Sequence, residues 1–167
     1  MFSTLRRARA DLTTLHTLLP AAERIARDDG TDQPGAEHLL LAALGLDDAI
    51  ARAAMATLGA DNDGLRGAIR GLHQEALNRI GVIADERAIG EALPPTDPPR
   101  GPYRVQGSLQ TAFQRAVELA KEERAALNSG HVLLAVTEPE HGTVAGALRR
   151  LGIDRSELRE ETRRRLG

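Results

Sequence analysis

A chain of 167 residues, 41% hydrophobic and only 2% aromatic, suits one compact domain or two small halves sharing a core, burying roughly 68–70% of its unfolded surface. A formal charge of −2 leaves no global positive field to hold a nucleic-acid backbone, and zero cysteines exclude disulfides, thiolate metal sites and thiol catalysis. The apolar residues are mostly Ala and Leu with no alternating β-branched runs, so an all-α protein is predicted.

In chain order, Leu5, Ala8, Leu12, Leu15 and Leu19 fall at helical spacing in a first segment from Ser3 to about Leu18, with Arg6, Arg7 and Arg9 toward solvent. MFSTLRRARADLTT lacks an apolar signal core, and the longest apolar runs are far short of the roughly 20 residues that cross a bilayer. The expectation is a soluble cytoplasmic protein with no membrane partner. Pro20 lacks an amide hydrogen and is predicted to break the helix, leaving a short one over about 20–28 with Ala22, Ile25 and Ala26 inward. Gly30, Pro34 and Gly35 form a turn before a helix over about 36–44.

Asp47 and Asp48 are suited to open the next helix, which ends at Leu58 with Gly59 as its left-handed stop. The segment from Asp61 to about Arg79 carries Leu65, Ile69, Leu72 and Ala76 on one face. PPTDPPRGP at 94–102 has too many prolines for helix or central strand, so 81–107 reads as an exposed linker. Ser108 is predicted to cap a helix to about Ala126, with Phe113, Ala116, Val117 and Ala120 inward, and Ser129 precedes an HVLLAV helix. The last helix opens at Asp154 with Glu157 as a variant capping box, supported by Glu160–Arg164 and Glu161–Arg165 pairs.

Two stretches echo each other. AEHLLLAAL at 36–44 recurs as SGHVLLAVT at 129–137, and LGAD at 58–61 as LGID at 151–154, all at one offset of 93. An offset that holds through a helix, a loop and a second helix marks a duplicated supersecondary unit. Val144, Ala147, Leu148 and Leu151 map onto Ala51, Ala54, Met55 and Leu58, so the repeat preserves a buried stripe as well as letters. The predicted organisation is an extension over 1–18, a first repeat over 19–80, the linker 81–107 and a second repeat over 108–167. Gly59 and Gly152, with Asp61 and Asp154, belong to the repeat motif, as do His38 and His131.

The pairing of two [TSA]-x-H-[LIV]-L-L-[AG] segments with two LG-x-D turns at one spacing resembles the amino-terminal repeat domain of the Clp unfoldases. The resemblance covers about Leu18 to Gly167 and implies two four-helix repeats related by a pseudo-twofold axis. It also implies a non-enzymatic recognition module that docks peptides, unfolded or tagged proteins and adaptors, with phosphoarginine or cyclic-peptide ligands in some members and Clp protease components as associates. Glu37 matches the family glutamate that contacts a guanidinium, while Phe2 and Tyr103 match regions lining a groove between the halves. Departures are Ala36 where a threonine is expected, Gly130 where the second copy should carry its glutamate, and short turns at 27–37 and 121–130.

Each residue also has a plain structural role open to it. Glu37 suits first-turn capping, His38 and His131 suit buried rings that bond the neighbouring turn, Phe2 and Tyr103 suit packing onto the core, and Arg6 suits either an anion-reading patch or a solvated face. No G-x-x-x-x-G-K-[ST] loop, G-x-S-x-G elbow or H-E-x-x-H pair occurs, so no nucleotide, catalytic triad, metal or other cofactor is expected and the chain is not read as an enzyme. Without a motor it would act as an adaptor, competitor or ligand sink. The competing readings are a helical DNA-binding regulator, whose basic runs RRAR and RRR lie at opposite ends of the sequence, and a metal hydrolase built on His38 and His131.

Overall fold

The computed structural model describes residues 2–79 and 107–167, with side chains from Arg9 onward in the first helix. The expected linker lies outside the described residues except for Gly107, which opens a helix, and Tyr103 and the side chains of Phe2 and Arg6 lie outside them too. Among the described residues every regular element is helical: α1 (Phe2–Asp28), α2 (Ala36–Leu44), α3 (Ile50–Thr57), α4 (Asn62–Arg79), α5 (Gly107–Glu122), α6 (Ser129–Val136), α7 (Thr143–Arg150) and α8 (Arg155–Leu166). No helix is long and apolar enough to cross a membrane.

The centre is built from α2 and α6, which pack directly on one another. Their sequences are apolar around most of the circumference, and a helix of that kind is stable only when surrounded. Accordingly every residue of α6 and every residue of α2 after Ala36 is buried. α1 covers α2, and α5 covers α6. The remaining helices cross over, α4 packing on α7 and α3 on α8, so that the third helix of each repeat meets the fourth of the other. Reciprocal exchange of that kind is what a twofold relation requires.

The buried stripes on α3 and α7 agree residue by residue: Ala51, Ala54 and Met55 are buried with Leu58 half-buried, and Val144, Ala147 and Leu148 are buried with Leu151 half-buried. Both helices are closed by left-handed glycines, Gly59 at φ 79° and Gly152 at φ 70°. Both following helices are capped by aspartates, Asp61 Oδ1 accepting from Gly64 N at 2.8 Å and Asp154 Oδ1 from Glu157 N at 2.8 Å.

Several sequence expectations are corrected. Pro20 does not break the first helix: α1 runs through it for 27 residues, about 40 Å. Pro20 and His16, whose carbonyl loses its amide partner, are both exposed residues, while Leu18 and Ala22 are both fully buried and hold one axis. Leu12, expected on the inner face, is 56% exposed. α5 ends at Glu122 rather than near Ala126, because Arg124 is left-handed at φ 53° and Ala125 N returns to the Ala120 carbonyl at 2.9 Å. Ser108 lies inside α5. Ala76 is exposed on α4, and Ala68 takes the buried place. Arg164 and Arg165 both pair with Glu161, at 2.8 and 2.7 Å, so Glu160 is not the partner of Arg164.

Candidate functional site

The site grows from the turn that feeds each central helix. In the first repeat Gly35 is the extended residue before α2, and its N–H donates to Nδ1 of His38 at 2.9 Å. In the second, Asn128 holds the same place, and its N–H donates to Nδ1 of His131 at 3.2 Å. Both histidines therefore close the first turn of a central helix by accepting the amide that precedes it, a role given to Glu or Gln in the ordinary capping box. Asn128 adds a side-chain cap, its Oδ1 accepting from Gly130 N at 3.0 Å and His131 N at 3.2 Å.

An Nδ1 that accepts leaves the ring hydrogen on Nε2, and an acid faces it in each repeat. Glu123 Oε2 lies 2.9 Å from His131 Nε2. Asp29 Oδ2 lies 3.7 Å from His38 Nε2, which is buried without a hydrogen-bond partner. Burial holds His38 below the ordinary histidine range, against the pull of the Glu37 and Asp29 carboxylates and with the help of His73 and Arg66. Arg66 Nη1 stands 3.9 Å from Asp29 Oδ1. Within this cluster Glu37 and His73 have no ionisable counterpart in the second repeat, where Gly130 and Leu166 stand.

Glu37 is only 7% exposed. Its carboxylate folds back over Gly35, where an added Cβ would lie 2.6 Å from Oε2, and Oε1 is 3.6 Å from His38 Nδ1. The neighbouring Ala36 N–H reaches the Ser108 hydroxyl at 3.4 Å. The matching helix start in the second repeat is closed differently: Asp48 crosses from the first repeat, accepting from Ser129 N at 3.0 Å and from the Ser129 hydroxyl, while also accepting from Ile50 N at 3.0 Å. Gly130, the counterpart of Glu37, lies beneath Ile50 and Leu166, and a Cβ there would meet them at 2.8 and 2.9 Å. A side chain at that position requires Ile50 and Leu166 to give way.

The sequence comparison decides the family. Residues 13–95 match the model of the Clp repeat (R) N-terminal domain. The chain belongs to the Clp repeat N-terminal domain family. The fold agrees over both halves of this Clp N-domain: the crystal structure of the N-terminal domain of the caseinolytic protease associated chaperone ClpD from Arabidopsis thaliana superposes with a TM-score of 0.63 at 17% identity, covering 92% of this chain and 95% of that one. A comparison with curated proteins returns no match.

Within the Clp N-domain, Glu37 and His38 come together at one helix start, while His131 stands in the equivalent turn of the other repeat. Phe2 and Arg6 lie on the first turns of α1 with side chains outside the described residues, and Tyr103 is likewise outside them. Among the described residues no group of three His, Asp or Glu side chains is placed to hold a metal ion. Sequence reading missed Asp29, Glu123 and Asn128, and placed Asp48 at the start of α3 without its link to Ser129. Gly30 after Asp29 was a signal for the first acid, but Arg124 after Glu123 was none, its φ of 53° being a property of the fold, and the loop to the histidine is one residue longer in the first repeat, so the constant offset fails there.

Proposed function

We propose that this Clp N-domain is a non-catalytic recognition module that binds peptides, tagged or unfolded proteins, or small ligands on behalf of a Clp unfoldase. The family and the fold support the coarse part of this reading, a protein-interaction domain of a Clp system. The 167 residues contain no phosphate loop, so unfolding work belongs to a motor that the domain serves as adaptor, competitor or ligand sink.

The observation that carries the finer reading is the asymmetry between Glu37 and Gly130. One repeat holds a buried carboxylate at the amino-terminal end of a central helix, and the other holds a glycine under two aliphatic side chains. A single charged subsite follows, in the first repeat, with Glu37 as the group that a guanidinium-bearing ligand such as phosphoarginine would engage. Phe2, Arg6 and Tyr103 are proposed as further ligand-binding residues. Titration of the protein with phosphoarginine, with cyclic-peptide ligands of Clp domains and with unstructured peptides tests this. Binding that Glu37→Ala removes supports it, and no measurable binding to any of the three ends it.

The DNA-binding alternative gains nothing from the fold. The RRR run sits on α8, where Arg164 and Arg165 are both tied to Glu161.

A further inference from the structure

The α6–α7 loop, α7 and the start of α8 line a half-open cavity of about 380 Å³. Its floor is apolar, formed by Ala145, Leu148 and Ile153, all buried. Its rim carries two guanidiniums. Arg149 Nη1 donates to the Glu140 carbonyl at 3.2 Å, and Arg155 Nη1 donates to the Glu138 carbonyl at 2.8 Å. A carbonyl fixes the direction of a guanidinium without cancelling its charge, so both arginines are oriented and still positive.

Among the described residues, Glu140 is the one carboxylate that reaches either of them. Its Oε1 stands 3.4 Å from Arg155 Nη2, and its side chain is 76% exposed. A contact so long and so exposed is weak. Asp154 also lines the cavity, but its Oδ1 is engaged as the cap of α8. The first repeat lacks this arrangement, for Ala56 and Asn62 stand where Arg149 and Arg155 stand in the second.

We propose that this cavity receives the C-terminal residue of a polypeptide: an aliphatic side chain on the Ala145–Leu148–Ile153 floor, and the α-carboxylate between Arg149 and Arg155. Glu140 is an internal competitor that the incoming carboxylate displaces. The volume is at the low end of the roughly 300–1,000 Å³ of ligand pockets, which suits a chain end better than a long segment. A fixed arginine fork is the group that recognises a carboxylate in two-point geometry. None of the lining residues belongs to the cluster around Glu37, so this site and the charged subsite of the first repeat stand or fall separately.

The test is calorimetric or anisotropy titration of the full 167-residue chain with a short peptide ending in Leu-Leu, as the free acid and as the C-terminal amide. The free acid is expected to bind, with amidation and Arg149→Ala each weakening it about tenfold or more, the worth of a charge-assisted hydrogen bond. Glu140→Gln, an exposed change that leaves the fold untouched, is expected to tighten binding several-fold by removing the competitor. Glu37→Ala is expected to leave it unchanged. Equal binding of acid and amide, no binding of the acid, or a Glu140→Gln variant that binds no better than the parent overturns the proposal.

Discussion

Glu123 stands 2.9 Å from Nε2 of His131, in the place that Asp29 holds at 3.7 Å from Nε2 of His38. The two acids directly follow the first helix of their repeats and differ by one methylene, and only the longer one reaches the buried ring nitrogen. Asp29→Glu is therefore expected to bring an oxygen within bonding distance of His38. A gain of about 1 kcal/mol in denaturant unfolding is predicted, the net worth of one buried hydrogen bond. An unchanged or lowered midpoint would mean that the longer loop holds the acid out of reach.

Stability near neutrality should depend on His38. Burial keeps its folded-state pKa below the unfolded value of about 6.5. The unfolded chain then binds the proton at a higher pH than the folded one, so the contribution is complete above the unfolded value and is lost as pH falls below it toward the folded pKa. Protonating Nδ1 would also remove the acceptor for the Gly35 amide. Unfolding free energy measured from pH 7.5 down to 5 is expected to fall, and His38→Gln is expected to flatten that fall.

Arg124 and Ala49 occupy left-handed backbone at φ 53° and 57°, where the other repeat has Gly30 at φ 81° and Gly142 at φ 105°. An L side chain in that region costs about 1–2 kcal/mol, partly offset by the greater unfolded-state freedom of glycine. Arg124→Gly and Ala49→Gly should each stabilise by roughly 0.5–1 kcal/mol, read as a shift in the denaturation midpoint at constant m-value.

Restoring the missing glutamate at Gly130 should fail. Its Cβ alone would press on Ile50 and Leu166 at 2.8 and 2.9 Å. Gly130→Glu is expected to cost at least about 3 kcal/mol through overpacking and a buried unpaired group. Retention of parental stability would refute the asymmetry on which the single charged subsite rests.

Asp48 joins the repeats by capping α3 through Ile50 and closing α6 through Ser129. Asp48→Ala should cost about 2–3 kcal/mol, against about 1 kcal/mol for the single cap removed by Asp61→Ala. A double-mutant cycle with Ser129→Ala should show coupling, because each change strands the other group. Additive losses would show that the contact across the repeats is energetically idle.

The helical content and the duplication were legible because apolar periodicity, left-handed glycines and aspartate caps are local signals. Gly59 with Gly152 and Asp61 with Asp154 adopt the same turn in both copies. The candidate site was legible only in part. Glu37 and His38 stood out, while Asp29 and Glu123 were hidden by a loop that differs by one residue, and Asn128 was passed over for Ser129 as the residue before the helix.

What the sequence determined by itself is the repeating unit, since each of its signals acts within a few residues of chain. What only the tertiary structure decided is which residues became different between the copies. Pro20 is carried inside a helix because buried neighbours on both sides outweigh one lost amide bond. Gly130 is sealed while Glu37 keeps its place, because α3 and α8 lie over one helix start and not in the same way over the other. Such outcomes depend on groups tens of residues apart meeting in a packed interior, where a methylene of space or reach is enough to choose between them.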